Sequence, residues 1–134
     1  MENKIIKDTK TAAHEAVKLL LEKQALGVKL YDMREKDAIT EFYINATGKS
    51  SMHVASLADE LCDRLAEYGK DALRVEGKRS DTWVLVDYGD IIVNVFDKQS
   101  RDFYDLDRLL PKETLVDITP LEKEVDAKFD IKKI

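Results

Sequence analysis

Residues 82–97, TWVLVDYGDIIVNVFD, hold two runs of β-branched, aliphatic and aromatic residues separated by Gly89-Asp90. Runs of this length and composition read as strands. A two-residue linker that begins with glycine reads as a hairpin turn, because glycine takes the positive φ such a turn demands. Both runs are apolar at successive positions, and do not alternate with polar residues. A strand with two apolar faces belongs near the centre of a sheet covered on both sides. Asn94 interrupts the second run between Ile92 and Phe96, its neighbours on one face. An amide there needs a hydrogen-bond partner from elsewhere in the fold.

Upstream, residues 9–24 place Ala12, Ala13, Ala16, Val17, Leu20 and Leu21 at helical spacing with one buried stripe, and Gly27 is the expected stop. VKLYDM, residues 28–33, reads as a strand, REKD as a polar turn, and AITEFYINA, residues 38–46, as a second strand with Phe42, Ile44 and Ala46 on one side. Together they predict a hairpin. A second helix starts from a Ser50 or Ser51 cap, carries Val54, Leu57, Ala58, Leu61, Leu65 and Tyr68 on one face, and ends at Gly69. Cys62 flanks this stripe as a small core residue. His53 is expected exposed in the first turn and His14 on the polar flank of the first helix; neither is given a chemical role. ALRVEG, residues 72–77, is a third strand. The fold class expected is α/β (α+β): a mixed five-stranded sheet with two main helices.

After Phe96 the chain is rich in charges and aromatics, and Phe103, Leu106, Leu109 and Leu110 predict a short helical turn packed on the sheet and closed by Pro111. In the last segment, Thr119-Pro120 resembles an N-cap followed by a first-turn proline, and Leu121, Val125 and Phe129 mark a short helix. Residues 1–110 are taken as one domain and residues 111–134 as a C-terminal extension.

The composition narrows function. A chain of 134 residues buries one core without cross-links. No apolar run reaches the roughly 18 residues of a membrane span, and the first residues lack the apolar centre of a signal peptide, so a cytoplasmic protein is expected. Cys62 is the single cysteine and His14 and His53 the two histidines, which leaves no thiolate cluster and little material for a histidine-based zinc or catalytic site. The net charge of −5 is uneven: residues 81–107 carry seven Asp against Lys98 and Arg101, a local −5. That window disfavours nucleic acid and suits a basic protein partner through electrostatic steering, although charge alone favours a solvated face with no partner.

Gly48-Lys49-Ser50, between a strand and a helix, has the ending of a phosphate-binding loop. A full loop needs a glycine five residues before the Gly-Lys pair, where this chain has Tyr43 inside a strand. The turn instead reads as a tight strand-to-helix connection, with Gly48 chosen for backbone freedom and Ser50 for capping. Nucleotidyltransferases hold triphosphates on a similar Gly-x-Ser turn, and they need two carboxylates at i and i+2 on a neighbouring strand for metal. Asp105 and Asp107 have that spacing but lie off the strands, and Asp87 and Asp90 are three apart across a turn. The expected architecture is nucleotidyltransferase-like without its metal site. No cofactor and no metal are expected, and a nucleotide-binding enzyme using residues 48–50 is the alternative reading.

The order Glu76-Gly77, Trp83, Asp87-Tyr88-Gly89-Asp90, Val93 with Phe96, Arg101 and Tyr104-Asp105-Leu106 resembles the ribosomal silencing factor (Iojap-like) family. The upstream strand pair, Gly-x-Ser turn and long helix match it too, so that the resemblance spans residues 13–110. Asn94 stands where the family commonly has His, and Leu110 where it commonly ends on Trp. The resemblance implies a non-enzymatic translation repressor that binds the large ribosomal subunit through its ribosomal protein number fourteen and sterically blocks joining of the small subunit when nutrients are scarce. Trp83, Asp87, Tyr88, Asp90, Arg101, Tyr104 and Asp107 are the expected partner-binding residues, with Trp83 the anchor. Each also has a packing, capping or local pairing role to weigh against this. Neither a membrane nor sequence-specific nucleic acid is an expected partner, and self-association of the free chain stays open.

Overall fold

The computed structural model describes residues 5–80 and 82–132, the last four of these by backbone alone. Along the chain lie α1 (Thr9–Glu22), β1 (Leu26–Asp32), β2 (Phe42–Gly48), α2 (Ser51–Glu67), β3 (Arg74–Glu76), β4 (Trp83–Asp87), β5 (Ile91–Asp97), α3 (Lys98–Tyr104) and α4 (Thr119–Lys132). Short 3-10 turns at Leu106–Leu109 and Lys112–Thr114 join α3 to α4. The strands form one sheet in the order β1-β2-β5-β4-β3. β2 and β5 run parallel and every other neighbouring pair is antiparallel, giving the mixed α/β sheet expected.

Strand alternation sends Phe42, Ile44, Ala46, Val84, Val86, Ile91, Val93 and Val95 to one face, where all are at most 1% exposed. The apolar stripes of α1 and α2 close over them, with Ala16, Val17 and Leu20 meeting Leu57, Leu61 and Leu65 in a single core. Each large side chain buried there contributes about 1.5–3 kcal/mol, so Leu61→Ala costs about 2–5 kcal/mol. β5 is buried on both faces up to Asp97, as its composition predicts. β4 differs: Val84 and Val86 are buried, but Trp83, Leu85 and Asp87 are only half-buried. The far face of the sheet is therefore partly open, and this is the fold's main departure from a sheet covered on both sides.

Cap geometry sets the helix ends. α1 ends one turn earlier than the glycine suggests. Lys23 is its C-cap, Gln24 takes the left-handed conformation (φ 65°), and the Ala25 N–H donates to the Leu20 carbonyl. Gly27 lies inside β1 at φ 54°, where the register with β2 shifts between Leu26 and Lys29. α2 follows its sequence signals: the Ser50 hydroxyl accepts from the His53 N–H at 3.1 Å, and Gly69 (φ 82°) closes it while Lys70 N–H donates to the Leu65 carbonyl. β2 begins at Phe42, so residues 33–41 form a longer connection than a four-residue turn.

The C-terminal segment runs beside β1, where Tyr31 bridges Leu115 and the Val116 N–H donates to the Leu30 carbonyl. α4 then crosses α1, burying Leu121 and Val125 and pairing Lys128 with Glu22 at 2.7 Å and Glu124 with Lys18 at 3.2 Å. At its start the acceptor is Asp117, which takes the Thr119 N–H and hydroxyl, so Thr119 is capped and is not itself the cap. The Phe129 side chain lies outside the described residues.

Candidate functional site

The partly open face carries Tyr31, Tyr43, Asn45 and Thr47 from β1 and β2, Ile92, Asn94 and Phe96 from β5, and Trp83 and Leu85 from β4. The parallel register of β2 with β5 sets Asn45 opposite Asn94, and the antiparallel register of β4 sets Trp83 opposite Phe96. Two buried amides side by side on a sheet would be costly without partners. They have them. The Trp83 indole donates to Asn94 Oδ1 at 3.0 Å, and Asn94 Nδ2 donates to Asn45 Oδ1 at 3.1 Å. Asn45 Nδ2 donates to Asp107 Oδ1 at 3.0 Å, and the Tyr31 hydroxyl donates to the same oxygen at 2.8 Å. Arg101 completes the chain of contacts, donating from Nε to Asp107 Oδ2 at 2.8 Å and from Nη1 to Thr47 Oγ1 at 3.0 Å.

Burial pushes the Asp107 carboxyl up, but the hydrogen bonds from Arg101, Asn45 and Tyr31 and the Arg101 charge outweigh it and hold the group below the usual aspartate range. Tyr31 is pushed the other way, by burial and by the hydrogen bond it gives to Asp107. The network thus holds one paired charge and otherwise neutral, satisfied groups, an arrangement that rigidifies the face.

Above the network the surface is apolar. Trp83 sits between Phe96 and Tyr104, with ring centroids 5.1 and 4.7 Å away, and Phe103 meets Tyr104 edge-on at 5.0 Å. Phe103 is 79% exposed and Leu109 71% exposed, so the expectation that they pack on the sheet fails; they point outward. A shallow pocket of about 150 Å³ opens between Tyr43, Leu106, Leu109 and Leu110, with Asn45 and Asn94 also lining it. Exposed aromatic and aliphatic residues around a rigid polar base make a surface suited to binding another protein.

The seven expected contact residues fall in two places. Trp83 and Tyr104 form the accessible aromatic row. Arg101 and Asp107 lie beneath it, engaged with each other, with side chains 12% and 17% exposed. Asp87, Tyr88 and Asp90 sit at the β4–β5 turn, at the other end of the hairpin. Asp87 accepts from the Gly89 N–H and from Arg74, and Asp90 accepts from Thr9 and Lys70. Tyr88 is 6% exposed in the helix-side core, its hydroxyl pushed up by burial and by the neighbouring Cys62; it packs and offers a partner no surface. The acidic window is also revised. Asp87, Asp90, Asp102, Asp105 and Asp107 pair with Arg74, Lys70, Lys98, Arg108 and Arg101, and Asp97 caps α3. Asp81 lies outside the described residues. Tyr31, Asn45, Thr47, Phe103 and Leu109 join the site without having been singled out as contacts; the lone amide at Asn94 was the one signal that a polar network existed.

The Gly48-Lys49-Ser50 turn is used up within the fold. A Cβ on Gly48 would lie 2.7 Å from Val54 Cγ2 and 2.8 Å from its backbone nitrogen, so close approach and not backbone freedom selects glycine. The Lys49 N–H donates to His53 Nδ1 at 2.8 Å. The ring proton therefore sits on Nε2, which donates to the Lys23 carbonyl at 2.8 Å. His53 is half-buried as a brace between α1 and α2, where the sequence suggested an exposed side chain. Among the described residues no three His, Cys, Asp or Glu side chains converge on a metal-sized site, and no helix is long and apolar enough to cross a membrane.

Comparison with known proteins places this geometry. The sequence profile described as "Ribosomal silencing factor during starvation" matches residues 6–133. The chain is 35% identical over 86 residues to the ribosomal silencing factor of Zymomonas mobilis, covering 64% of this chain and 65% of that one. It is 32% identical over 97 residues to the factor of Bacillus subtilis, covering 72% and 82%. A crystal structure of a protein from Chromobacterium violaceum superposes with a TM-score of 0.74 at 31% identity, covering 78% of this chain and 87% of that chain. A profile match over nearly the whole length, together with relatives above 30% identity and a shared fold, shows that this chain belongs to the ribosomal silencing factor family.

Proposed function

We propose that this protein represses translation by steric exclusion. It binds the large ribosomal subunit in the cytoplasm through that subunit's ribosomal protein number fourteen, and the bound domain keeps the small subunit from joining. The observation that carries this reading is the aromatic row Trp83–Tyr104–Phe103 with Leu109, exposed on a face whose underlying polar groups are already paired. A face of this kind gains by covering apolar surface and loses no internal hydrogen bond in doing so. A domain of this size presents the roughly 800 Å² that a specific interface needs from each partner. In this reading residues 1–110 carry the docking function and the extension at 111–134 braces α1 from the other side.

The nucleotide-binding alternative finds less support, because the amide, hydroxyl and imidazole of the Lys49–His53 turn already bond one another and Lys49 Nζ reaches Gln24 Oε1 at 3.2 Å. Sedimentation of the chain with purified large subunits tests the proposal. Co-pelleting that is lost in Phe103→Ser/Leu109→Ser and retained in Asp90→Ala supports it. Failure of the unaltered chain to pellet with large subunits, alongside binding of a nucleoside triphosphate with Mg²⁺, overturns it.

A further inference from the structure

We infer that Arg101 and Asp107 are positioning residues: their ion pair, locked to β1 and β2, sets the placement of the aromatic row that meets the partner, and neither side chain meets the partner itself. The inference rests on the docking reading above and names how that face is held.

Four observations carry it. First, neither α3 nor the 3-10 turn after it has a fully buried residue, so apolar burial alone does not fix this segment on the sheet. Second, the chain between them turns at Asp105, the left-handed C-cap of α3 (φ 48°, ψ 49°), whose N–H donates to the Arg101 carbonyl. The Arg101–Asp107 pair spans that turn. Third, the carboxylate is already engaged through both oxygens. Oδ1 accepts from Tyr31 and Asn45, Oδ2 accepts from Arg101 Nε, and Arg101 Nη2 lies 3.4 Å from Oδ1. A cation on a partner would find one acceptor position left, on Oδ2, and would meet the Arg101 charge beside it. Fourth, Phe103 and Tyr104 lie between the two ends of the clasp, and Tyr104 stacks on Trp83 at 4.7 Å. Releasing the clasp therefore moves the exposed rings relative to the sheet.

A direct contact and a positioning role give opposite results for Arg101. If Asp107 met a partner's cation, removing Arg101 would free the carboxylate and preserve or strengthen binding. If the pair positions the row, removing either member has the same effect, and removing both does no further harm, because the two act as one unit.

The test uses the full chain with Arg101→Ala, Asp107→Ala and the double variant. Asp107→Asn, which keeps acceptors for Tyr31 and Asn45, serves as the milder change. Three quantities are read: affinity for purified large subunits, acrylamide quenching of Trp83, the single tryptophan, and far-UV circular dichroism as a check of folding. The expected result is an affinity loss of at least tenfold in each single variant, no further loss in the double, and faster Trp83 quenching in all of them with helix content retained. Asp107→Ala losing affinity while Arg101→Ala keeps or gains it overturns the inference. So does unchanged Trp83 quenching across the set. Should the unaltered chain not bind large subunits, the docking reading falls, and the Trp83 measurement still decides whether the clasp positions the row.

Discussion

Replacing Asn94 by leucine, which has nearly the same shape, removes the central link of the sheet-face network. Asn94 is 2% exposed and makes two hydrogen bonds, accepting from the Trp83 indole and donating to Asn45. The substitution strands Asn45 Oδ1, which belongs to a side chain 1% exposed. An orphaned buried acceptor costs about 1–3 kcal/mol. The Trp83 indole is half-buried and reaches water, so its loss is nearer the net value of one bond, about 1 kcal/mol. Burying leucine in place of an amide returns part of this, roughly 1 kcal/mol. The net expectation is a destabilisation of about 2 kcal/mol, or a lowering of the melting temperature by about 6–8 °C for a domain of this size. Urea unfolding followed by circular dichroism measures it, with Trp83 fluorescence as a local probe. A loss below about 0.5 kcal/mol with unchanged Trp83 emission would mean that the network is incidental.

Other outcomes follow from single contacts. Gly48→Ala forces a methyl against the first turn of α2 and is expected to cost about 1–3 kcal/mol in urea unfolding; a neutral result would show that the approach to Val54 is not what selects glycine. Phe103→Ser/Leu109→Ser removes only exposed side chains, so unfolding should stay within about 0.5 kcal/mol while affinity for large subunits falls; a large stability loss would contradict their outward placement. Asp107 and Glu22 are held below the usual carboxylate range because their partners outweigh burial: the hydrogen bonds from Arg101, Asn45 and Tyr31 and the Arg101 charge for Asp107, and Lys128 and Arg64 for Glu22. For a depressed carboxyl the stability contribution is full above the unfolded value near pH 4 and drains away as pH falls through the folded value, since the unfolded chain takes up protons first. Denaturation midpoints should therefore fall steeply below about pH 4. Asp107→Asn should flatten that limb, and an unchanged limb in this variant would argue against a depressed Asp107.

The elements whose signals are local could be read from the sequence. Ser50 and Gly69 delimit α2 because caps act within one turn, and Gly89-Asp90 marks the β4–β5 turn because glycine there takes φ 85°. The site depends on distant pairings and was only half legible. Asn94 announced an unmet amide, but Asn45 is its partner only because β5 inserts beside β2, a consequence of strand order that no local pattern encodes. The acidic run misled for the same reason, since Arg74 and Lys70, which neutralise Asp87 and Asp90, arrive from outside it. Phe103 and Leu109 have core-like chemistry, and composition alone could not tell that they face solvent.

Subunit joining is the most direct measurement. Large subunits saturated with the chain are mixed with small subunits, and formation of assembled ribosomes is followed by light scattering. Joining should fall in proportion to occupancy, and Phe103→Ser/Leu109→Ser should restore it. Assembled ribosomes forming to the same extent on fully occupied large subunits would contradict exclusion as the mechanism.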